Sequence, residues 1–141
     1  MAFPLAGLLR VRGTQERIAA EQLSLASERH RQAEAAVSTA EETVAAIGTE
    51  IQDGATLLAM AAARSAGASM LADLRALTEM TAAEQAEAQT THVAARRELK
   101  GLERLESAHQ SEADRADRDR EQSALDEIAV VMTVRRGGQD A

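Results

Sequence analysis

From Ala19 to Ile51 the chain steps by alternating fours and threes through Ala19, Leu23, Ala26, His30, Ala33, Val37, Ala40, Val44, Ile47 and Ile51, and only His30 among these is polar. Such spacing, sustained over more than four heptads, lays one narrow stripe along an α-helix. That is the seam of a left-handed coiled coil and not the broad face of a globular helix. A helix marked this way needs a partner helix. Leu5, Leu9, Arg12 and Glu16 continue the same count backward, and Pro4 suits a first helical position, where the N–H it lacks has no intrahelical partner. A first helix is expected over about 4–52, weakened at Gly13 and Gly48 by up to ~1 kcal/mol each relative to Ala.

Gly54 and the run Ser65-Ala66-Gly67-Ala68-Ser69 are the breakpoints in the middle of the chain, which places a turn over about 53–69. Ser69 is the expected N-cap of a second helix over about 70–136. Its seam reads Met70, Leu74, Leu77, Thr81, Glu84, Ala88, Thr91 and Ala95. Leu99 then follows at a step of four in place of three, a local drift toward an eleven-residue repeat. Gly137-Gly138 is the expected end. Two helices joined by one short connection run antiparallel. The expected fold is all-α, a single long antiparallel two-helix coiled-coil hairpin over 1–141, with the second helix longer by about 15 residues.

Composition agrees. The 141 residues include one Phe, no Trp and no Tyr, too few large side chains for a thick core. Alanine at Ala19, Ala26, Ala33 and Ala40 buries about three carbons fewer per site than leucine, a deficit of order 2 kcal/mol. The seam is therefore expected to hold weakly. Leucine at positions 33 and 40 would raise the melting temperature of a loose seam and lower that of a close-packed one.

Charge and chemistry narrow the function. The net charge is −7, with Lys100 the only lysine, and there is no basic stripe with interleaved aromatics, so nucleic acid is not an expected partner. Cysteine is absent, which excludes disulfides and thiolate metal sites. The uncharged run Gly54 to Ala63 is shorter than the ~18 to 20 residues that span a bilayer; no membrane insertion is expected. No phosphate-binding loop is present, and the three histidines are scattered. Glu106 and His109 form one Glu-x-x-His, the spacing of di-metal bundles, but His92 has Gln89 where a second copy would need Glu. No catalytic residue, metal or cofactor is expected. The alternating charges of Asp114 to Arg120 read as a solvated face that can meet protein partners.

The opening Phe3, Leu5, Leu8-Leu9, Arg10, Arg12, Glu16, Ala19-Ala20 and Leu23 resembles that of the flagellar export protein FliJ family. The close resembles it too, with Arg120-Glu121-Gln122, Leu125-Asp126-Glu127-Ile128-Ala129 and Arg135-Arg136. The resemblance implies a cytoplasmic, non-enzymatic component of flagellar type III export, peripheral at the inner membrane. Its partners would be the FliI-like export ATPase hexamer, the FlhA-like export gate and export chaperones. It assigns Leu5, Leu9, Arg12, Glu16, Leu125, Asp126, Glu127 and Ile128 to the ATPase-facing tip. Leu71, Leu74 and Leu77 stand in for the gate contact, where the family often uses aromatics.

Two other readings share the pattern. An injectisome stalk protein would look alike, and a secreted helical hairpin would be expected to carry Trp-x-Gly at its turn, which is missing.

Overall fold

The computed structural model describes residues 2–48, 50 and 52–139. It is an all-α helical hairpin of two helices, α1 Ala6–Ala45 and α2 Gly54–Gln139, of 40 and 86 residues. The chain sorts into two compact units, Thr14–Arg96 and a second made of Met1–Gly13 with Arg97–Ala141. Helix α1 begins just after Pro4, where Ala6 N–H donates to the Phe3 carbonyl at 3.2 Å.

The connection falls between Ala45 and Gly54, earlier than the glycine and serine pattern suggests. Helix α1 closes as Ala46 N–H donates to Glu42 and Ile47 N–H donates to Val44. The last predicted seam residue, Ile51, falls outside the described residues. Asp53, not Ser69, caps α2: its Oδ1 accepts the Thr56 N–H at 2.8 Å. Once capped there, the alanine-rich stretch that follows has the propensity to stay helical through Ser65–Ser69. The helix also passes through Gly137 and Gly138 to Gln139.

The Thr56 N–H, then the Thr56 hydroxyl, hold the Asp53 carboxyl below its usual range, with a smaller contribution from the Ala55 N–H. A depressed folded-state pKa stabilises at pH values above the unfolded-state one and is lost as pH falls through the folded-state value. Asp53→Ala is expected to lower the melting temperature at neutral pH. Asp53→Asn, which still caps, should keep most of it while flattening the dependence below about pH 4. Thermal melts of the three proteins across that range check both expectations.

In the unit Thr14–Arg96 a series of cross-helix pairs sets the register. They run Glu16–His92, Ser27–Gln85, Arg29–Glu84, His30–Thr81, Glu41–Arg75 and Val44–Gly67, each advancing along α1 as it retreats along α2. The α1 stripe is the expected one, and Ala19, Ala26, Ala33 and Ala40 are its most buried members, only 4 to 6% exposed.

The α2 seam is the expected one at Leu74, Thr81, Ala88 and Ala95 and differs at the positions between them. The residues turned inward are Gly67, Leu71, Leu74, Thr78, Thr81, Gln85, Ala88, His92 and Ala95, followed by Leu99 and Leu102. Met70, Leu77, Glu84 and Thr91 are exposed, one residue to the side of the true positions. With that correction the steps of four and three run unbroken, and the proposed drift at Leu99 disappears. A search for the largest apolar residue misses this seam because Thr78, Gln85 and His92 occupy it. The register sets Leu71, Thr78, Gln85 and His92 opposite the four alanines, so at these four layers the larger side chain comes from α2.

The polar seam residues are satisfied. Gln85 Nε2 donates to Ser27 Oγ at 3.1 Å, and Thr81 Oγ1 lies 3.1 Å from His30 Nδ1. Among the described residues no buried side-chain nitrogen or oxygen is left without a hydrogen bond, so these groups specify register without an orphaned polar atom.

Gly67 shows why a glycine stands inside this helix. A Cβ built there would meet Val44 Cγ2 at 2.5 Å, whereas one at Gly101 would meet nothing within 4 Å. Glycine to alanine in a free helix interior gains about 0.5–1 kcal/mol. Gly101→Ala should therefore raise the melting temperature. Gly67→Ala should lower it, because Val44 is β-branched and stiff, and Val44→Ala in the same chain should recover most of the loss.

Candidate functional site

The residues assigned to an ATPase-facing tip fall into two sets that behave differently. Leu9, Arg12 and Glu16 sit on the inward stripe of α1 and are half-buried. Arg12 Nη1 donates to Glu98 Oε2, a partner 86 residues away in sequence. Glu16 accepts from His92 Nε2 at 2.9 Å, which puts a proton on that nitrogen because a carboxylate only accepts. Leu5 is more open, at 40%. The first set thus joins α1 to α2.

Leu125, Asp126, Glu127 and Ile128 lie elsewhere, on a stretch of α2 in which every described residue from Asp114 to Gln139 is exposed. Leu125 is 60% and Ile128 54% exposed. Val130, Val131, Met132 and Val134 are exposed beside them, which extends the apolar cluster beyond the Leu125 to Ala129 stretch. Asp126 accepts from Gln122 Nε2 at 3.1 Å, and Asp117 pairs with Arg120 at 3.0 Å. These contacts stay within the helix and support it one turn at a time. The two predicted sets therefore differ in environment, Leu9, Arg12 and Glu16 being turned inward and Leu125 to Ile128 exposed.

The gate candidates divide as well. Leu71 is buried and Leu74 half-buried in the seam against α1, so neither can meet a partner without opening the helices. Leu77 is 44% exposed, with Met70 and Met80 open on the same helix. Leu57 and Leu58 are exposed near the turn. Helix α2 contains one 18-residue window long and apolar enough to cross a membrane by length and composition. Arg64 is the only charged residue between Gly54 and Ala72, and Gly67 and Leu71 in that stretch face α1.

The histidines are engaged in packing. His109 of the Glu-x-x-His fragment packs against Phe3 in a tilted arrangement, with ring centroids 5.6 Å apart at 57°. His30 lies between Thr81 and Glu34, the latter at 3.3 Å from Nε2. No group of three or more histidines and carboxylates that could hold a metal ion occurs among the described residues.

Two antiparallel helices whose inward polar groups fix register, one carrying an exposed apolar end, define a coiled-coil hairpin. The chain belongs to the FliJ family: the family model described as flagellar FliJ protein matches residues 1–138. It is therefore a component of the flagellar export apparatus, in a family of structural and adaptor proteins. No curated protein and no solved structure matches it.

Proposed function

We propose that this chain is the non-enzymatic stalk and adaptor of flagellar type III export. In this reading it binds and stimulates the export ATPase hexamer, and links that ring to the export gate and to export chaperones at the cytoplasmic face of the inner membrane. The observation that carries the reading is the end of α2, where six large apolar residues between Leu125 and Val134 stand exposed on a continuous helix. Exposed apolar side chains clustered on one element mark a docking surface. Leu9, Arg12 and Glu16 then act indirectly, by holding α1 against α2, and Asp126 and Glu127 supply the polar rim of the contact. For the gate, the exposed Leu77 remains the available contact.

The test is hydrolysis by the cognate export ATPase, alone and with the full chain at equal ring concentration. A several-fold rise in rate is expected, because a ligand that favours the assembled or active ring raises its population without adding catalytic groups. An unchanged rate with demonstrated absence of binding would overturn the assignment.

A further inference from the structure

The exposed residues on either side of the seam in the unit Thr14–Arg96 are not alike. One side carries the pair Arg75–Glu41, and the other carries Arg29–Glu84 at 4.0 Å. On the second side Gln22, Arg29, Glu84, Glu87 and Thr91 line a groove of about 360 Å³ floored by Ala26 and Ala88. Ile18 and Leu25 flank Gln22 along α1 at steps of four and three, and Met80 precedes Glu84 by four on α2. These three are 47, 60 and 60% exposed. Each wall of the groove thus repeats the three-four spacing that the seam itself uses, and that spacing interdigitates with a helix.

We propose that this groove receives an amphipathic helix of another protein, apolar at three-four spacing and basic along its flanks. The alanine floor lets such a helix approach closely, and Ile18, Leu25 and Met80 supply the apolar contact. Charge selects the partner: Glu84 and Glu87 face the groove against the single Arg29, and among the described residues Glu87 makes no ion pair. A second copy of the chain is the poorer match in charge, since each face offers one Arg29 against two acids, whereas basic flanks meet both acids. The inference does not depend on the ATPase reading, because it concerns another unit of the chain.

The absence of cysteine allows a clean test on the full chain. A photo-crosslinker is placed at Gln22→Cys on the groove, or at Ser24→Cys on the opposite side. The probe is a synthetic helical peptide of roughly 20 residues with leucines at three-four spacing and lysine flanks, compared with the same peptide carrying glutamate flanks. The lysine peptide is expected to crosslink at Gln22→Cys and not at Ser24→Cys. Ile18→Ser with Leu25→Ser should weaken its binding about tenfold with unchanged helical melting, as both residues are exposed. No binding of the lysine peptide, equal crosslinking at both sites, or equal affinity for the glutamate peptide would overturn the proposal. Crosslinking of two chains through Gln22→Cys would overturn it in favour of a second copy.

Discussion

Replacing Ala33 and Ala40 together with leucine is expected to destabilise the hairpin severely. These residues are among the four most buried alanines of α1, and the register places Thr78 and Leu71 across from them. Overpacking a close-packed site costs about 1–3 kcal/mol, so the pair should lose roughly 2–6 kcal/mol. For a unit of this size that is a fall of roughly 10 °C or more in melting temperature. The extra bulk would also push apart Glu41 and Arg75. Ala35→Leu, at an exposed position, should change the melt by no more than about 0.5 kcal/mol. The exchange Ala40→Leu with Leu71→Ala keeps the total volume and should recover part of the loss, a coupling that a double-mutant cycle measures directly. A rise in melting temperature for the leucine pair would mean that the helices do not approach closely there.

That outcome reverses the sense in which alanine was first read. Counted as buried area, alanine every seven residues looks like a deficit. Counted as distance, it lets the helices approach so that larger residues of α2 fit opposite, and buried contact is gained by the partner. Sequence spacing shows which positions face inward on α1. It does not show how near the second helix comes, because that depends on what stands across.

The same limit explains the misplaced turn. Glycine in an alanine-rich run reads as a breaker, yet Gly67 is helical and is required by Val44 on the facing helix. The Asp53 side chain that caps α2 was visible as Asp-Gly, the local signal that could have located the turn. On α2 the stripe Met70, Leu74 and Leu77 stands out in the sequence because its first residues are large. The true seam keeps Leu74, Thr81, Ala88 and Ala95 but at the alternate positions lies one residue over, on Leu71, Thr78, Gln85 and His92, and the last three are legible only when their partners are known. Sequence resemblance found the exposed Leu125 to Ile128 stretch. It could not separate those residues from Leu9, Arg12 and Glu16, whose conspicuous pattern comes from holding the two helices together.

The end of α2 gives the largest expected effect on function. Leu125→Asp with Ile128→Asp should abolish stimulation of the cognate export ATPase while leaving thermal melting nearly unchanged. Both side chains are more than half exposed, so folding loses little when they become charged. The Asp–Arg and Gln–Asp pairs along the helix persist. Docking loses far more, because a carboxylate buried in an apolar contact without a partner costs several kcal/mol. If the loss of binding reaches about 4 kcal/mol, affinity falls roughly a thousandfold, beyond what raising the protein concentration recovers. Arg12→Ala provides the contrast. It removes a pair that joins the helices, so its effect on the ATPase should follow its effect on melting, whereas the double aspartate variant should separate the two. Full stimulation by the double variant would show that the ring is met by some other surface. A cooperative melt displaced by many degrees would show that the end of α2 is bound within the fold after all.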